Sequence, residues 1–143
     1  MIEGADFSEA DLREAYLRRA TGAGAKFRRA KMTGTDLERA NLSGADFSKA
    51  RMDAADLDRA KLAGANFTDA NLKRARLSSA DLTGANLNGA NLSGALLRRT
   101  RLSGADLSEA EGLTEKQLSL ACGDETTKLP SGMKIKTCGG EDN

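Results

Sequence analysis

The sequence predicts an all-β solenoid of square, twenty-residue coils that stack on one another, and two periodicities carry this prediction. Every fifth residue from 5 to 110 is Ala, apart from Thr35 and Thr100, and every fifth residue from 2 to 107 is Leu, Ile, Phe or Met, apart from Gly22. A period of five fits neither an α-helix nor an alternating strand, whereas a chain that turns a corner every five residues keeps both positions inside. Four such sides close one coil. The number twenty has its own support, since Gly recurs at 4, 24, 44, 64, 84 and 104, and Phe at 7, 27, 47 and 67.

The composition predicts that the core of these coils is narrow. Leu, Phe, Ile and Val together supply only 25 of the 143 residues, while Ala supplies 24. So few large apolar residues are typical of disordered chains. The net charge of +1 lacks the self-repulsion that accompanies disorder. We therefore expect a core in which Leu or Phe alternates with Ala, and in which Ala is a steric requirement.

The repeating units resemble those of the pentapeptide repeat family. Examples are residues 85–89 (ANLNG) and 90–94 (ANLSG), and the resemblance covers residues 2–109. It implies a right-handed quadrilateral parallel β-helix, with Leu or Phe at the centre of each side and Ala two residues before it. We assign residues 1–112 to this solenoid, which then has about five coils spaced about 4.8 Å apart. At Gly22 the central side chain is missing, so either a void remains there or residues 21–24 bulge outward, and we favour the bulge.

After residue 112 the sequence predicts a cap over the last coil. Thr114 and Gln117 have the spacing of a capping box, and Leu113 with Leu118 fits the hydrophobic staple that accompanies it. These signals predict a helix over about 115–121, stopped by Gly123, in which Leu118 and Leu120 cover the coil. Residues 129–132 predict a turn and residues 133–137 a short extended segment. The cap is expected to end at residue 138, with a disordered tail over 139–143.

The two cysteines, Cys122 and Cys138, both lie in this non-repeating segment. A structural disulfide, two free thiols, and a redox or metal role are the alternatives. The segment resembles tails that follow the repeats in some exported bacterial proteins, and this resemblance favours the disulfide. A disulfide would imply a periplasmic or secreted protein whose signal peptide is absent from this chain. Free thiols would leave a cytoplasmic location.

Composition also excludes several kinds of function. The absence of His removes Ser-His and Cys-His nucleophiles and His metal ligands, and two Cys cannot complete a four-ligand zinc site. We predict no catalytic residue, no cofactor, no metal and no small-molecule substrate. No apolar run is long enough for a membrane span. Near-zero charge and few aromatic rings argue against nucleic-acid binding.

The outward positions supply one candidate interaction surface. Arg19, Arg39, Arg59 and Arg99 fall in one column, interrupted by Ser79, and this column is the best candidate for binding an acidic partner. The alternative is a solvated, salt-bridged face, because acidic residues on the same face are expected to neutralise the middle of the column. The Gly ladder predicts either turns with positive φ or a stripe open to another backbone. The acidic residues that are expected to neutralise the column are Asp36, Glu38, Asp56 and Asp58. For the Asn pairs 66/86 and 71/91, which fall on adjacent coils, we expect side-chain ladders.

These observations predict a non-enzymatic structural or protein-interaction module whose partner is unknown. We expect a monomer or an end-to-end or face-to-face homodimer. The resemblance implies an alternative, a DNA-mimicking binder of DNA gyrase or another type II topoisomerase. That function needs a strongly negative rod, whereas residues 1–112 carry 18 basic and 16 acidic residues.

Overall fold

The computed structural model of the protein describes residues 1–139, which wind into stacked coils. Parallel β-bridges join residues twenty apart, from Asp6 with Lys26 to Asn91 with Glu111. We number the coils from the amino terminus as residues 1–20, 21–40, 41–60, 61–80 and 81–100, and a sixth begins at residue 101. Each side holds an isolated bridge instead of a longer strand, because five residues leave room for little more before the next corner. The quadrilateral β-helix thus contains few regular secondary-structure elements.

Each position of a five-residue unit has its own structural role, as residues 26–30 of coil 2 show. The N–H of Lys26 donates to Ala5 O in the coil below at 2.8 Å, and that of Phe27 donates to Asp46 O in the coil above at 2.7 Å. A turn follows, closed by the N–H of Ala30 on Phe27 O at 3.1 Å, and its third residue, Arg29, has φ of +57°. We call these the bridge position (residue 26), the centre position (27), the turn position (29) and the Ala position (30).

The core is the narrow bore that the centre and Ala positions were predicted to fill. From Ala25 to Leu107 the residues at these positions are almost completely buried. The rings of Phe7, Phe27, Phe47 and Phe67 stack with centroids 5.4, 5.0 and 4.9 Å apart. Buried Thr35 and Thr100 replace Ala without leaving an unpaired hydroxyl, because they donate to Leu12 O at 2.8 Å and Leu77 O at 2.7 Å in the preceding coil.

The bulge expected around Gly22 was a wrong prediction. Gly22 is buried and keeps its place in the ladder, since its N–H donates to Asn41 O at 2.9 Å. A Cβ built on Gly22 would lie 2.7 Å from Ile2 Cγ1 and 3.1 Å from Leu42 Cδ2. The side chains above and below therefore occupy the space that a larger residue would need, and the backbone does not have to leave the coil.

The expected Asn side-chain ladders are also absent from the described residues. Asn66 and Asn86 pair through a backbone bridge. Their side-chain oxygens instead accept the N–H two residues later in the same coil, from Thr68 at 2.9 Å and Asn88 at 3.0 Å. Asn71 and Asn91 do the same. These amides stabilise the turns within their own coils.

The cap begins with the predicted helix, α1, Glu115–Ser119, and the capping box between Thr114 and Gln117 is present. The helix ends before residue 121, and Leu120, expected to cover the coil, is 44% exposed, whereas Leu118 is buried. The reason is that Leu120 O accepts the N–H of Arg99 at 2.7 Å, which returns the chain to the ladder. Gly123 consequently lies in a strand and does not stop the helix.

Two short strands complete the cap, β1, Cys122–Gly123, and β2, Lys136–Thr137, which pair in parallel. The disulfide favoured from the sequence is present between Cys122 and Cys138, with Cα atoms 4.8 Å apart. The N–H of Met133 donates to Pro130 O at 3.1 Å, which places a turn one residue after the predicted range. Of the tail predicted to be disordered, residues 140–143 lie outside the described residues. No helix among the described residues is long and apolar enough to cross a membrane.

Candidate functional site

The predicted arginine column lies along one corner of the solenoid. Arg19, Arg39, Arg59 and Arg99 all occupy the turn position, with φ between +59° and +60°, and all four are exposed. Ser79 holds the same position in coil 4, with φ of +60°. Because the backbone beneath each residue is bonded to the next coil, the corner presents its guanidinium groups at a regular spacing of about 4.8 Å per coil.

The acidic residues on this face pair mainly with arginines outside the column. Arg18 Nη2 lies 2.8 Å from Glu38 Oε2, and Arg18 Nε lies 3.4 Å from Asp36 Oδ2. Arg76 Nη2 lies 2.9 Å from Asp58 Oδ2. Within residues 1–139, Arg39 is the column residue that forms an ion pair, with its Nε 3.8 Å from Glu38 Oε1.

The other column arginines lack such a partner. Within residues 1–139, no carboxylate lies within 4.0 Å of the guanidinium groups of Arg19, Arg59 or Arg99. These three exposed charges are available to a binding partner.

Glu38 remains ionised beside these arginines. The pKa of Glu38 is lowered chiefly because the Arg18 side chain donates a hydrogen bond to its carboxylate. The charges of Arg18, Arg39 and Arg59 lower it further, while partial burial opposes the shift. The same contact with Glu38 raises the pKa of Arg18. The face is therefore zwitterionic at neutral pH, with a paired centre and a cationic edge.

Three of these carboxylates approach one another closely enough to hold a cation. Oxygens of Asp36, Glu38 and Asp56 lie within 4.8 Å of one another. However, Arg18 already contacts two of the three groups. Two of the three carboxylates therefore already have a cationic partner without a metal ion.

The Gly ladder is explained by backbone conformation. Gly4, Gly24, Gly44, Gly64 and Gly84 have φ of +66° to +70°, and a Cβ on any of them would meet no atom within 4 Å. They occupy the turn position of a neighbouring corner, equivalent to that of the arginine column. The fold thus accommodates Gly at such a corner at least as readily as Arg.

Sequence reasoning missed an apolar groove at the carboxyl-terminal end of the same face. It has a volume of about 390 Å³ and lies between coil 5 and α1. Exposed Leu96 and Leu120 line it, together with Arg98, Lys116 and Gln117. The available signal was Leu96 itself, since its row of bridge positions otherwise holds Tyr16, Asp36, Asp56 and Arg76.

Comparisons with known proteins agree with this architecture. A sequence profile described as Pentapeptide repeats, in 8 copies, matches residues 3–39, 40–78 and 75–111. No curated protein matches the chain.

Several solved structures are similar to this chain. A pentapeptide repeat protein of the cyanobacterium Cyanothece is 33% identical with a TM-score of 0.56, over 69% of this chain and 63% of that one. One from the Arabidopsis thaliana thylakoid lumen is 30% identical with a TM-score of 0.53, over 69% of this chain and 66% of that one. A third, from the cyanobacterium Nostoc, is 27% identical with a TM-score of 0.50, over 90% and 77%. The matches cover just under two thirds of the first two proteins. The common fold is a right-handed quadrilateral β-helix.

Proposed function

The chain belongs to the pentapeptide repeat family, and from that premise we propose that it is a non-enzymatic interaction module that binds an acidic protein surface through the arginine column. The observation that carries this proposal is the pairing on the charged face. Arg18 pairs with Asp36 and Glu38, and Arg76 pairs with Asp58. Within residues 1–139, Arg19, Arg59 and Arg99 are exposed and form no salt bridge.

The backbone at these arginines supports a role outside folding. Residues other than Gly are uncommon at positive φ, and such conformations cost stability. The Gly ladder occupies the equivalent corner position at a similar φ, so the turn itself does not require a long cationic side chain. Arg29, Lys49 and Arg74 share this φ at other corners, so what distinguishes the column is that Arg recurs in four of five coils at one corner.

The column suits a carboxylate-rich partner. A guanidinium group can form two parallel hydrogen bonds with one carboxylate, which gives both attraction and geometric specificity. The ladder fixes the backbone of successive arginines, so binding has to order only their side chains. Regular spacing along a rod favours a partner whose carboxylates are themselves spread along a line.

The charge distribution does not favour the alternative of a gyrase binder that imitates duplex DNA. Such a rod needs a dense negative surface, whereas this chain carries 22 basic and 21 acidic residues. On the charged face, Asp36 and Glu38 are already paired with Arg18, and Asp58 is paired with Arg76.

We further propose that the protein acts in a periplasmic or secreted location. The disulfide between Cys122 and Cys138 supports this, because disulfides persist mainly in oxidising compartments. The Arabidopsis relative is a protein of the thylakoid lumen. Thiol labelling of protein isolated from its native cells tests the proposal. We expect no labelling before reduction, and full labelling would overturn it.

The binding proposal is tested by affinity capture from an extract of the source organism. The test variant replaces Arg19, Arg59 and Arg99 with Ser, which Ser79 shows the turn position accepts. The control replaces Arg29, Lys49 and Arg74 with Ser, since these cations also occupy turn positions with positive φ and no salt bridge within the described chain.

We expect the wild type and the control to retain one or more of the same partners, and the test variant to recover at least about tenfold less of them, a loss of about 1.4 kcal/mol. Equal recovery by both variants would overturn the role of the column. Equal loss from both would show attraction to net charge alone.

A further inference from the structure

The apolar groove lies where the regular ladder of the solenoid is interrupted. On this face the centre residues Leu17, Leu37, Leu57 and Leu77 each donate an N–H to a carbonyl of the coil above. Leu97 is next in the series, but the chain above it forms α1. Within residues 1–139, the N–H of Leu97 has no acceptor.

The acceptors on the same edge are already satisfied. The Gln117 side chain donates from Nε2 to Leu92 O at 2.8 Å and to Ala95 O at 3.0 Å. Further along, the N–H of Arg99 donates to Leu120 O at 2.7 Å. Beside the groove, the N–H groups of Gly94 and Leu97 have no acceptor within residues 1–139, and an added extended segment supplies a carbonyl for Leu97.

The walls of the groove are apolar and exposed. Leu96 is 53% exposed and Leu120 is 44% exposed, and both line a volume of about 390 Å³. Ala95 and Leu97 also contribute to the lining. Adjacent exposed leucines beside an incomplete β-ladder are typical of a surface that binds another polypeptide.

The rim of the groove is cationic. Arg98 and Lys116 both line it, and no carboxylate of residues 1–139 lies within 4.0 Å of either charge. Arg99 of the arginine column follows Arg98 directly in sequence. A segment that enters the groove is therefore favoured if it carries carboxylates beside its apolar side chain.

We propose that this groove binds an extended segment of a protein partner in which an apolar side chain is flanked by acidic residues. The apolar side chain packs between Leu96 and Leu120, its carboxylates face Arg98 and Lys116, and one of its backbone carbonyls accepts the N–H of Leu97. The groove is a separate site from the arginine column, and it binds such a segment whether or not the column has its own partner.

A library of random twelve-residue peptides displayed on phage provides the probe. The test variants are Leu96→Asn and Arg98→Ser. Asn occupies bridge positions on other sides of the solenoid, at residues 66, 71, 86 and 91, so Leu96→Asn is compatible with the coil. Ser78 holds the position of Arg98 one coil below, so Arg98→Ser is compatible as well. The control is Tyr16→Asn, which removes another exposed apolar residue from the same row, far from the groove.

Selection on the wild type should enrich peptides in which an apolar residue is flanked by Asp or Glu. A synthetic peptide of that sequence should bind Leu96→Asn at least about tenfold more weakly than the wild type and Tyr16→Asn within about twofold. It should also bind Arg98→Ser more weakly than the wild type, and this loss of affinity should be larger at low salt than at high salt, because salt screens the charge. In the presence of excess peptide, hydrogen exchange of the Leu97 amide should slow by at least about tenfold.

Failure to enrich such peptides, or equal binding to Leu96→Asn, would overturn the groove as a binding site. Binding without protection of the Leu97 amide would overturn the added strand. A concentration-dependent dimer of the wild type that Leu96→Asn abolishes would identify a second copy as the occupant and overturn the partner segment. The variant with Arg19, Arg59 and Arg99 replaced by Ser should still bind the peptide, which separates this result from the fate of the proposed function.

Discussion

At the scale of single residues, the bore of the solenoid sets strict limits on size. Ala65 is 1% exposed and precedes the buried Phe67 by two residues. We predict that Ala65→Leu destabilises the protein by about 1–3 kcal/mol or more, because a well-packed bore must distort to admit the larger side chain. Urea unfolding measures the change. Ala23→Leu makes the same substitution at an exposed position and should have little effect, whereas equal stability of both variants would contradict a tightly packed bore.

Exposed carboxylates also report on the local structure of the coils. The pKa of Asp11 is lowered to about 2 because the side chain and backbone N–H of Arg13 donate hydrogen bonds to it, and the charge of Arg13 adds to this effect. Nε of Arg13 donates at 2.8 Å and Nη2 at 2.6 Å. The contribution to stability is complete above the ordinary pKa of 3.8, and it is lost as the pH falls from 3.8 through 2.

We therefore predict that an NMR titration gives Asp11 a pKa near 2, and that Arg13→Ala raises it towards 3.8. Added salt should weaken the shift, since the pair is exposed. An Asp11 pKa that does not change in Arg13→Ala would contradict the assigned cause.

Single residues also show what the sequence could and could not predict. The period of five correctly placed Leu, Phe and Ala inside, because each coil repeats one steric environment. The partners of Glu38 and Asp58 could not be read from the period. Arg18 belongs to the same row as Glu38, one coil below it, but their contact and that of Arg76, which belongs to the neighbouring row, with Asp58 depend on which way each side chain extends. Likewise, Gly22 stays in register because Ile2 and Leu42 occupy the space, a property of three coils together.

At the scale of elements, the disulfide holds the cap on the last coils. It joins residues 16 apart and brackets the pairing of β1 with β2. We predict that reduction lowers the free energy of unfolding by about 3 kcal/mol, because the reduced chain regains the entropy of the open loop. Unfolding with and without reductant measures this. The double variant Cys122→Ala, Cys138→Ala should be insensitive to reductant, and an unchanged midpoint for the wild type would contradict a stabilising disulfide.

The cap also shows why local signals predicted the start of α1 better than its end. The capping box depends on Thr114 and Gln117 alone, and both partners are within one helical turn. The end of the helix depends on the N–H of Arg99, twenty-one residues earlier, which bonds to Leu120 O. This distant bond explains both the early end and the exposure of Leu120, and therefore the groove beside it.

At the scale of the whole molecule, each coil contacts only its neighbours, so stability is expected to vary along the axis of the solenoid. The phenylalanine ladder offers a matched series. The N–H groups of Phe7, Phe27, Phe47 and Phe67 each donate to the coil above at 2.7 Å. Phe7 is only partly buried, however, whereas the other three are completely buried. Differences in their exchange should therefore reflect the stability of the coils and not the length of the bonds.

We predict that native-state hydrogen exchange in this chain is fastest at Phe7 and slowest at Phe47, which has two complete coils on each side. Coil 1 packs on one neighbour and opens without disrupting the rest, while coil 3 opens only when the ladder on both sides is lost. Reduction of the disulfide should speed exchange at Phe67 more than at Phe7, because the cap lies at the carboxyl-terminal end. Equal protection of all four amides would instead mean that the coils unfold as one cooperative unit, despite contacts that extend only from each coil to the next.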